Sequence, residues 1–311
     1  MLLPSRNPGR PVSNGRLVWR ILQVALAVLV VGLAGRALAN NWDAFRAQDI
    51  TWRFSPSWIS LSLGVVFAMY ALLIEAWRRV VAGLGGKLEF LAAARIWALA
   101  SLGKYIPGKV WAVAGAAALA KEAGVDAKAA VTAAVVLQAL AVGSGLLVTA
   151  VTAPQAFGGG NAVWAAAALA TISLAVLAGA ASPILAARMG LPAMPTGPVI
   201  QAFIVNCIAW IGYGAAFLCL ARGTLPESAL TFGQAVGVFT GSYLVGLIAL
   251  FAPGGLGARE SALLLLLTPA VGPKLALALA VVSRLQLTVT EIGVAVPFLL
   301  GMRSPGRGGA G

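Results

Sequence analysis

The sequence predicts an all-α, polytopic membrane helix bundle with about seven long spans and two shorter, broken, re-entrant-like segments. Three observations predict it. Hydrophobic residues make up 60% of the 311 residues and charged residues only 10%, against about 45–50% and about 25% in a soluble domain. The mean hydropathy is +0.93. The apolar residues also gather into runs close to the roughly 20 residues that a helix needs to cross the hydrocarbon. The length leaves no room for a sizeable extramembrane domain.

Residues 1–16, rich in Pro, Gly, Arg and Asn, read as a disordered basic cytoplasmic tail. Arg6, Arg10, Arg16 and Arg20 precede the first apolar run, 21–39. Its Ala37-Leu38-Ala39 end resembles a signal-peptide cleavage site. The long basic region before the run and the multispanning chain behind it favour a retained helix. Further runs lie near 57–77, 129–152, 162–186, 199–221, 231–252 and 275–300. Two interrupted stretches separate them. One covers 88–120 and breaks at Gly103-Lys104-Tyr105-Ile106-Pro107-Gly108-Lys109; the other, 253–271, opens with Pro253-Gly254-Gly255-Leu256-Gly257. Residues 301–311 form a short disordered tail. Gly233, Gly237 and Gly241 make a small-xxx-small row that lets helices approach closely in lipid.

Arg78, Arg79, Lys87, Lys121, Lys128 and Arg188 fall on the side of the N-terminal tail, which the positive-inside rule makes cytoplasmic. Arg303 and Arg307 prefer the inside too, yet seven spans put the C-terminus outside, so its side stays open.

Composition removes whole classes of chemistry. With no histidine, histidine metal sites, Ser-His and Cys-His pairs and histidine proton relays are excluded. Cys207 and Cys219 share one apolar stretch and suit packing better than a disulfide or a metal site. No G-x-x-x-x-G-K-[ST] occurs, so nothing resembles an ATP-driven pump. The excess of 22 bases over nine acids, +13, points to an anionic membrane face rather than to nucleic acid. No metal or cofactor is expected.

The broken segments carry the candidate chemistry. Bare backbone in hydrocarbon costs several kcal/mol per group, so irregular chain at membrane depth belongs inside protein or along a wet cavity. Pro107-Gly108 fits the centre of a type II turn. A helix restarting near Lys109 presents free N–H groups and a positive dipole end. Lys104 and Lys109 add charge, and Tyr105 and Trp111 add amphipathic rings. An anionic head group, above all a phosphate, suits that place; so does a surface turn whose lysines snorkel to the interface. In the second segment Pro253-Gly254-Gly255 ends one helix, and Gly257-Ala258-Arg259-Glu260 starts a short one through Leu267. Glu260 complements the helix dipole, and Arg259 offers a guanidinium fork beside backbone N–H groups. If both segments are re-entrant, the count of intervening runs opens both on the cytoplasmic face.

Arg284 and Glu291 lie inside the last run, about 10 Å apart along a helix axis. They cannot pair with each other, so each needs a partner elsewhere, as an ion pair or as part of a polar pathway. Arg36, Glu75 and Arg95 sit nearer to helix ends, and Gln138 and Asn206 are expected to hydrogen-bond between helices. The bases at membrane depth outnumber the acids, and an anion must balance them.

In this order among these runs, Leu102-Gly103-Lys104-Tyr105-Ile106-Pro107-Gly108-Lys109-Val110-Trp111 and Ala252-Pro253-Gly254-Gly255-Leu256-Gly257-Ala258-Arg259-Glu260 carry a resemblance. Over about residues 17–300 the chain resembles the transmembrane region of lysylphosphatidylglycerol synthases, a flippase-like integral membrane family. The resemblance implies a bacterial or archaeal membrane protein, related to the domain that moves aminoacylated phosphatidylglycerol between leaflets. Lys104, Tyr105, Lys109 and Trp111 match its first motif, and Arg259 and Glu260 its second. The chain stops soon after the last run, without the soluble aminoacyl-transferase domain, so synthesis of lysyl-phosphatidylglycerol is not expected.

The expected function is therefore non-enzymatic: ATP-independent translocation of an anionic lipid, of phosphatidylglycerol or polyprenyl-phosphate type, in the bacterial inner membrane. Lys104, Tyr105, Lys109, Trp111 and Arg259 would hold the head group, and Glu260, Arg284 and Glu291 would form a polar pathway. The alternative is a non-catalytic partner that scaffolds glycosyltransferases or lipid-modifying enzymes. An intramembrane enzyme lacks an obvious general base or metal cage.

Overall fold

The computed structural model describes residues 51–105, 110–156, 162–249 and 253–301. The basic tail, the first run with Arg36 and Ala37-Leu38-Ala39, the Pro107-Gly108-Lys109 turn and residues 302–311 lie outside them. Among the described residues the chain is all-α. Its helices are α1 (Pro56–Gly83), α2 (Phe90–Ser101), α3 (Val110–Glu122), α4 (Ala127–Ala156), α5 (Ala162–Ala180), α6 (Pro183–Arg188), α7 (Thr196–Thr224), α8 (Phe232–Ile248) and α9 (Ala258–Leu299). Short 3-10 turns occupy Leu102–Tyr105, Pro226–Ser228 and Pro253–Gly255. Five helices, α1, α4, α5, α7 and α9, are long and apolar enough to cross a membrane.

Two boundaries differ from the apolar runs. The run at 162–186 is two helices, because Ser182 Oγ accepts from Leu185 N at 3.3 Å and Pro183 opens α6. Hydropathy is blind to a cap, since one serine barely changes the average. At 17 residues α8 is shorter than its run and ends at Ile248. Gly272, with φ 80 and ψ 161, breaks the 42-residue α9 into two arms. They correspond to the short helix and the last span expected from the sequence.

The order of elements repeats. A long helix, a short helix, a 3-10 turn, a short helix and a long helix occur as α1, α2, Leu102–Tyr105, α3 and α4. They occur again as α7, α8, Pro253–Gly255 and the two arms of α9. A glycine at positive φ precedes the closing helix in each unit, Gly124 (φ 83) and Gly272 (φ 80). The two opening helices lie along each other, with Tyr70 of α1 and Tyr213 of α7 edge to face at 6.2 Å.

Two apolar cores hold the bundle. The first joins Trp77, Val80 and Val81 of α1 to α2, α3, the start of α4 and the start of α7. The second joins Val66 of α1 to the later part of α7, α8 and both arms of α9. Cys207 packs against both, and Cys207 and Cys219 are free thiols. A cavity of about 420 Å³ draws its walls from both cores, Trp77 and Ile96 from the first and Trp210, Phe239 and Leu287 from the second.

Helices α7 and α8 meet almost backbone to backbone: a Cβ on Gly214 would stand 2.5 Å from Val236 Cα. Neither helix can yield without disturbing the second core. Gly214→Ala should destabilise the protein by about 1–3 kcal/mol, seen as a lower midpoint in thermal unfolding of the detergent-solubilised protein. An unchanged midpoint would show that the α7–α8 contact is looser than this geometry.

Candidate anionic head-group site

The two broken segments meet tip to tip. The Leu102–Tyr105 turn contacts the Pro253–Gly255 turn, and glycine makes both approaches feasible. A Cβ on Gly103 would stand 2.7 Å from Ala112 N, so the turn folds directly against α3. Gly254 holds φ +58, and a Cβ there would meet the Tyr105 ring at 2.8 Å.

Beside this junction lies a polar cluster. Glu291, in the second arm of α9, is 7% exposed. Lys104 Nζ and Tyr105 Oη each donate to it at 2.5 Å, and Tyr70 Oη donates at 3.3 Å. Three elements thus converge on one carboxylate: α1, the first turn and α9. Arg284, seven residues earlier in that arm, turns to the second segment. Its NH1 donates to Gly254 O at 3.1 Å and lies 3.5 Å from Glu260 Oε1. Glu260 Oε2 in turn accepts from Gly257 N at 2.8 Å. It therefore combines the expected helix-start role with an ion pair.

Arg259 is 2% exposed. Its guanidinium stacks on Phe239 at 5.3 Å and Tyr243 at 5.6 Å. NH2 reaches Ser283 Oγ at 3.5 Å, and Glu260 Oε1 stands 3.7 Å from NH1. Among the described residues Nε and NH1 have no hydrogen-bond partner, nor has Arg284 Nε. A buried guanidinium with unused donors is costly unless an acceptor arrives. Lys104, Arg259 and Arg284, three cations, thus share two carboxylates, and all five surround one end of the cavity or adjoin it.

Of the residues expected from the sequence, the structure gathers Lys104, Tyr105, Gly254, Gly255, Arg259, Arg284 and Glu291 on the cavity wall. Glu260 stands directly behind Arg284 and Arg259. Pro253 and Gly257 shape the second turn and the start of α9. Trp111 is not gathered: it is 52% exposed, because α3 turns Ala112, Val113 and Ala116 to the cavity instead. Pro107, Gly108 and Lys109 lie outside the described residues. Glu75 is committed elsewhere, to Arg78 and Arg79 of its own helix at 2.7 and 2.8 Å. Asn206 does not bridge helices as expected; its Nδ2 donates to Ala202 O one turn back in α7.

Sequence reasoning missed the aromatic walls. Tyr70, Trp210, Tyr213, Phe239 and Tyr243 all line the cavity, and Trp210 Nε1 reaches across to Ala141 O of α4 at 3.0 Å. A signal existed. Tyrosines in the middle of apolar runs need hydroxyl partners, and three such runs carry one.

Lys104→Met should destabilise the protein by about 3 kcal/mol, because it strands a buried carboxylate. Adding Glu291→Gln should restore most of that loss. Thermal unfolding of both single variants and the double variant measures the coupling, and simple additivity would mean the pair is not formed.

The family described as lysylphosphatidylglycerol synthase TM region matches residues 20–293. No curated protein matches the chain.

Proposed function

Because the chain belongs to the lysylphosphatidylglycerol synthase TM region family, and so is a multi-pass membrane protein, we propose that it moves an anionic lipid between leaflets without ATP. The lipid is of phosphatidylglycerol or polyprenyl-phosphate type. The observation that carries this reading is Arg259, buried with two unused donors at a cavity wall. A phosphate entering there accepts from Arg259 as a fork and meets Lys104 and Arg284 beside it. The lipid tails stay in the bilayer while the head group passes through protein. The protein acts as a carrier and makes or breaks no covalent bond.

The repeat supports an architecture for this passage. Helix pairs α2–α3 and α8–first arm of α9 each act as a re-entrant hairpin, with its irregular tip buried in protein. The tip-to-tip contact favours hairpins that enter from opposite faces over the same-face arrangement expected from counting runs. Each unit then contributes three spans, the first unit including the run at 21–39, and the two units lie inverted. Inverted units place a substrate site at mid-depth between broken helices, where the Arg259 cluster stands. About six spans also return Arg303 and Arg307 to the side of the basic N-terminal tail, in accord with the positive-inside rule. That side is the cytoplasm of the bacterial inner membrane.

Two measurements test this. In proteoliposomes the protein should accelerate movement of labelled phosphatidylglycerol, but not of phosphatidylcholine, and Arg259→Ala should reduce the rate about tenfold or more with folded protein retained. No movement of phosphatidylglycerol or of a polyprenyl phosphate, together with co-purification of a glycosyltransferase, would overturn transport in favour of a scaffold. Separately, Ser304→Cys in a background lacking Cys207 and Cys219 should react with a membrane-impermeant maleimide only from the cytoplasmic side. Labelling from outside would return the count to seven spans.

A further inference from the structure

The cavity changes character along its length. At one end stand Lys104, Arg259, Arg284 and Glu291. Trp97 precedes Lys104 by seven residues and Trp77 follows Tyr70 by seven, so both lie about 10 Å along their helices from the charged cluster. These two indoles belong to the first core, whereas Phe239 and the stacked Tyr243 that hold Arg259 belong to the second. Gln138 and Asn206 line the cavity one turn before Ala141 and Trp210, on the first-core side. The far end presents Trp97 and Gln138 among aliphatic side chains such as Leu73 and Leu137, with Trp77 and Asn206 nearly buried behind them, and none of these is charged.

The aliphatic part of that wall suits an acyl chain, but the Gln138 carboxamide does not. Gln138 is exposed to the cavity and finds no hydrogen-bond partner among the described residues. Carboxamides at low dielectric call for hydroxyl or amide partners. The electron-rich face of an indole suits the C–H edge of a saturated ring. A volume of about 420 Å³ falls within the roughly 300–1,000 Å³ usual for small-molecule sites.

We propose that the head group is a phosphodiester bearing a six-membered polyol ring, sugar or cyclitol, with phosphate at Arg259 and the ring between Trp97 and Gln138. This rests on the anionic-lipid reading and narrows it. A three-carbon glycerol is too short to occupy both ends, and a six-membered ring reaches from one to the other. The chemistry is shared by glycosylated polyprenyl phosphates and by ring-bearing phosphoglycerides.

The test is a lipid titration of the full-length chain by native mass spectrometry. The probes are phosphatidylglycerol, phosphatidylinositol and a hexosyl-phosphoryl polyprenol, each with one phosphodiester charge. Both ring-bearing lipids, or one of them if the anchor also matters, should bind about tenfold tighter than phosphatidylglycerol. Gln138→Leu and Trp97→Leu should each shrink that ratio towards one while leaving phosphatidylglycerol affinity unchanged, which also shows the variants folded. Arg259→Ala should weaken every probe. Equal affinity for all three, lost in Arg259→Ala, would remove the ring subsite and leave the anionic site standing. An unaltered preference in both Gln138→Leu and Trp97→Leu would overturn the placement of the ring. Failure to bind any probe would overturn the anionic-lipid reading as well.

Discussion

Glu291 is the constraint on which the site depends. A carboxylate 7% exposed in the middle of a membrane protein has to be neutralised. It gathers Lys104 and Tyr105 from the first broken segment and Tyr70 from α1. Those contacts tie the first unit to the last helix of the second. The position of the Leu102–Tyr105 turn follows from them, and with it the space into which Gly254 must fit.

Glu291 pairs with Lys104 and Glu260 with Arg284, which leaves Nε and NH1 of Arg259, with Nε of Arg284, as the cluster's unmatched donors among the described residues. Its stacking on Phe239 and Tyr243 lowers the cost of burying a guanidinium but supplies no acceptor. The unmatched donors and the cavity are thus two sides of one arrangement. Under the proposed transport, a site that exchanges an anion has to stay short of full neutralisation. It also needs built-in carboxylates, so that the cluster tolerates the empty state.

The repeated order of elements explains how irregular backbone reaches the centre of the bundle. Both tips are covered by protein: Tyr105 packs on Gly254 across the two units, and Gly255 packs on Gly246 of α8 within its own unit. A single broken segment would leave its carbonyls facing lipid. The two turns pack on each other, and Arg284 of the second unit takes the Gly254 carbonyl, so this irregular backbone stays inside protein. On the proposed inverted arrangement, the same junction is where the two units would shift against each other during transport.

Much of this was legible in the chain itself. Composition and run length decide a helical membrane protein, because hydrocarbon accepts few other folds. Pro253-Gly254-Gly255 marks the second break, whereas Pro107-Gly108, read for the first, lies outside the described residues. Charges at Arg259, Arg284 and Glu291 mark the buried cluster, since such charges are rare inside apolar runs. The cap boundary was less legible: Ser182 acts through a single hydrogen bond that average hydropathy does not register, whereas the break at Gly272 falls between two stretches the sequence already separated. Only the tertiary structure decided who meets whom. Lys104 and Glu291 are 187 residues apart, and nothing in either local sequence names the other. Trp111 shares a motif with Lys104 yet points away, because the rotation of α3, set by the packing of Ala116 and Leu119 into the first core, chooses its face. Pairing across a bundle is a property of packed surfaces, and those exist only once the chain has folded.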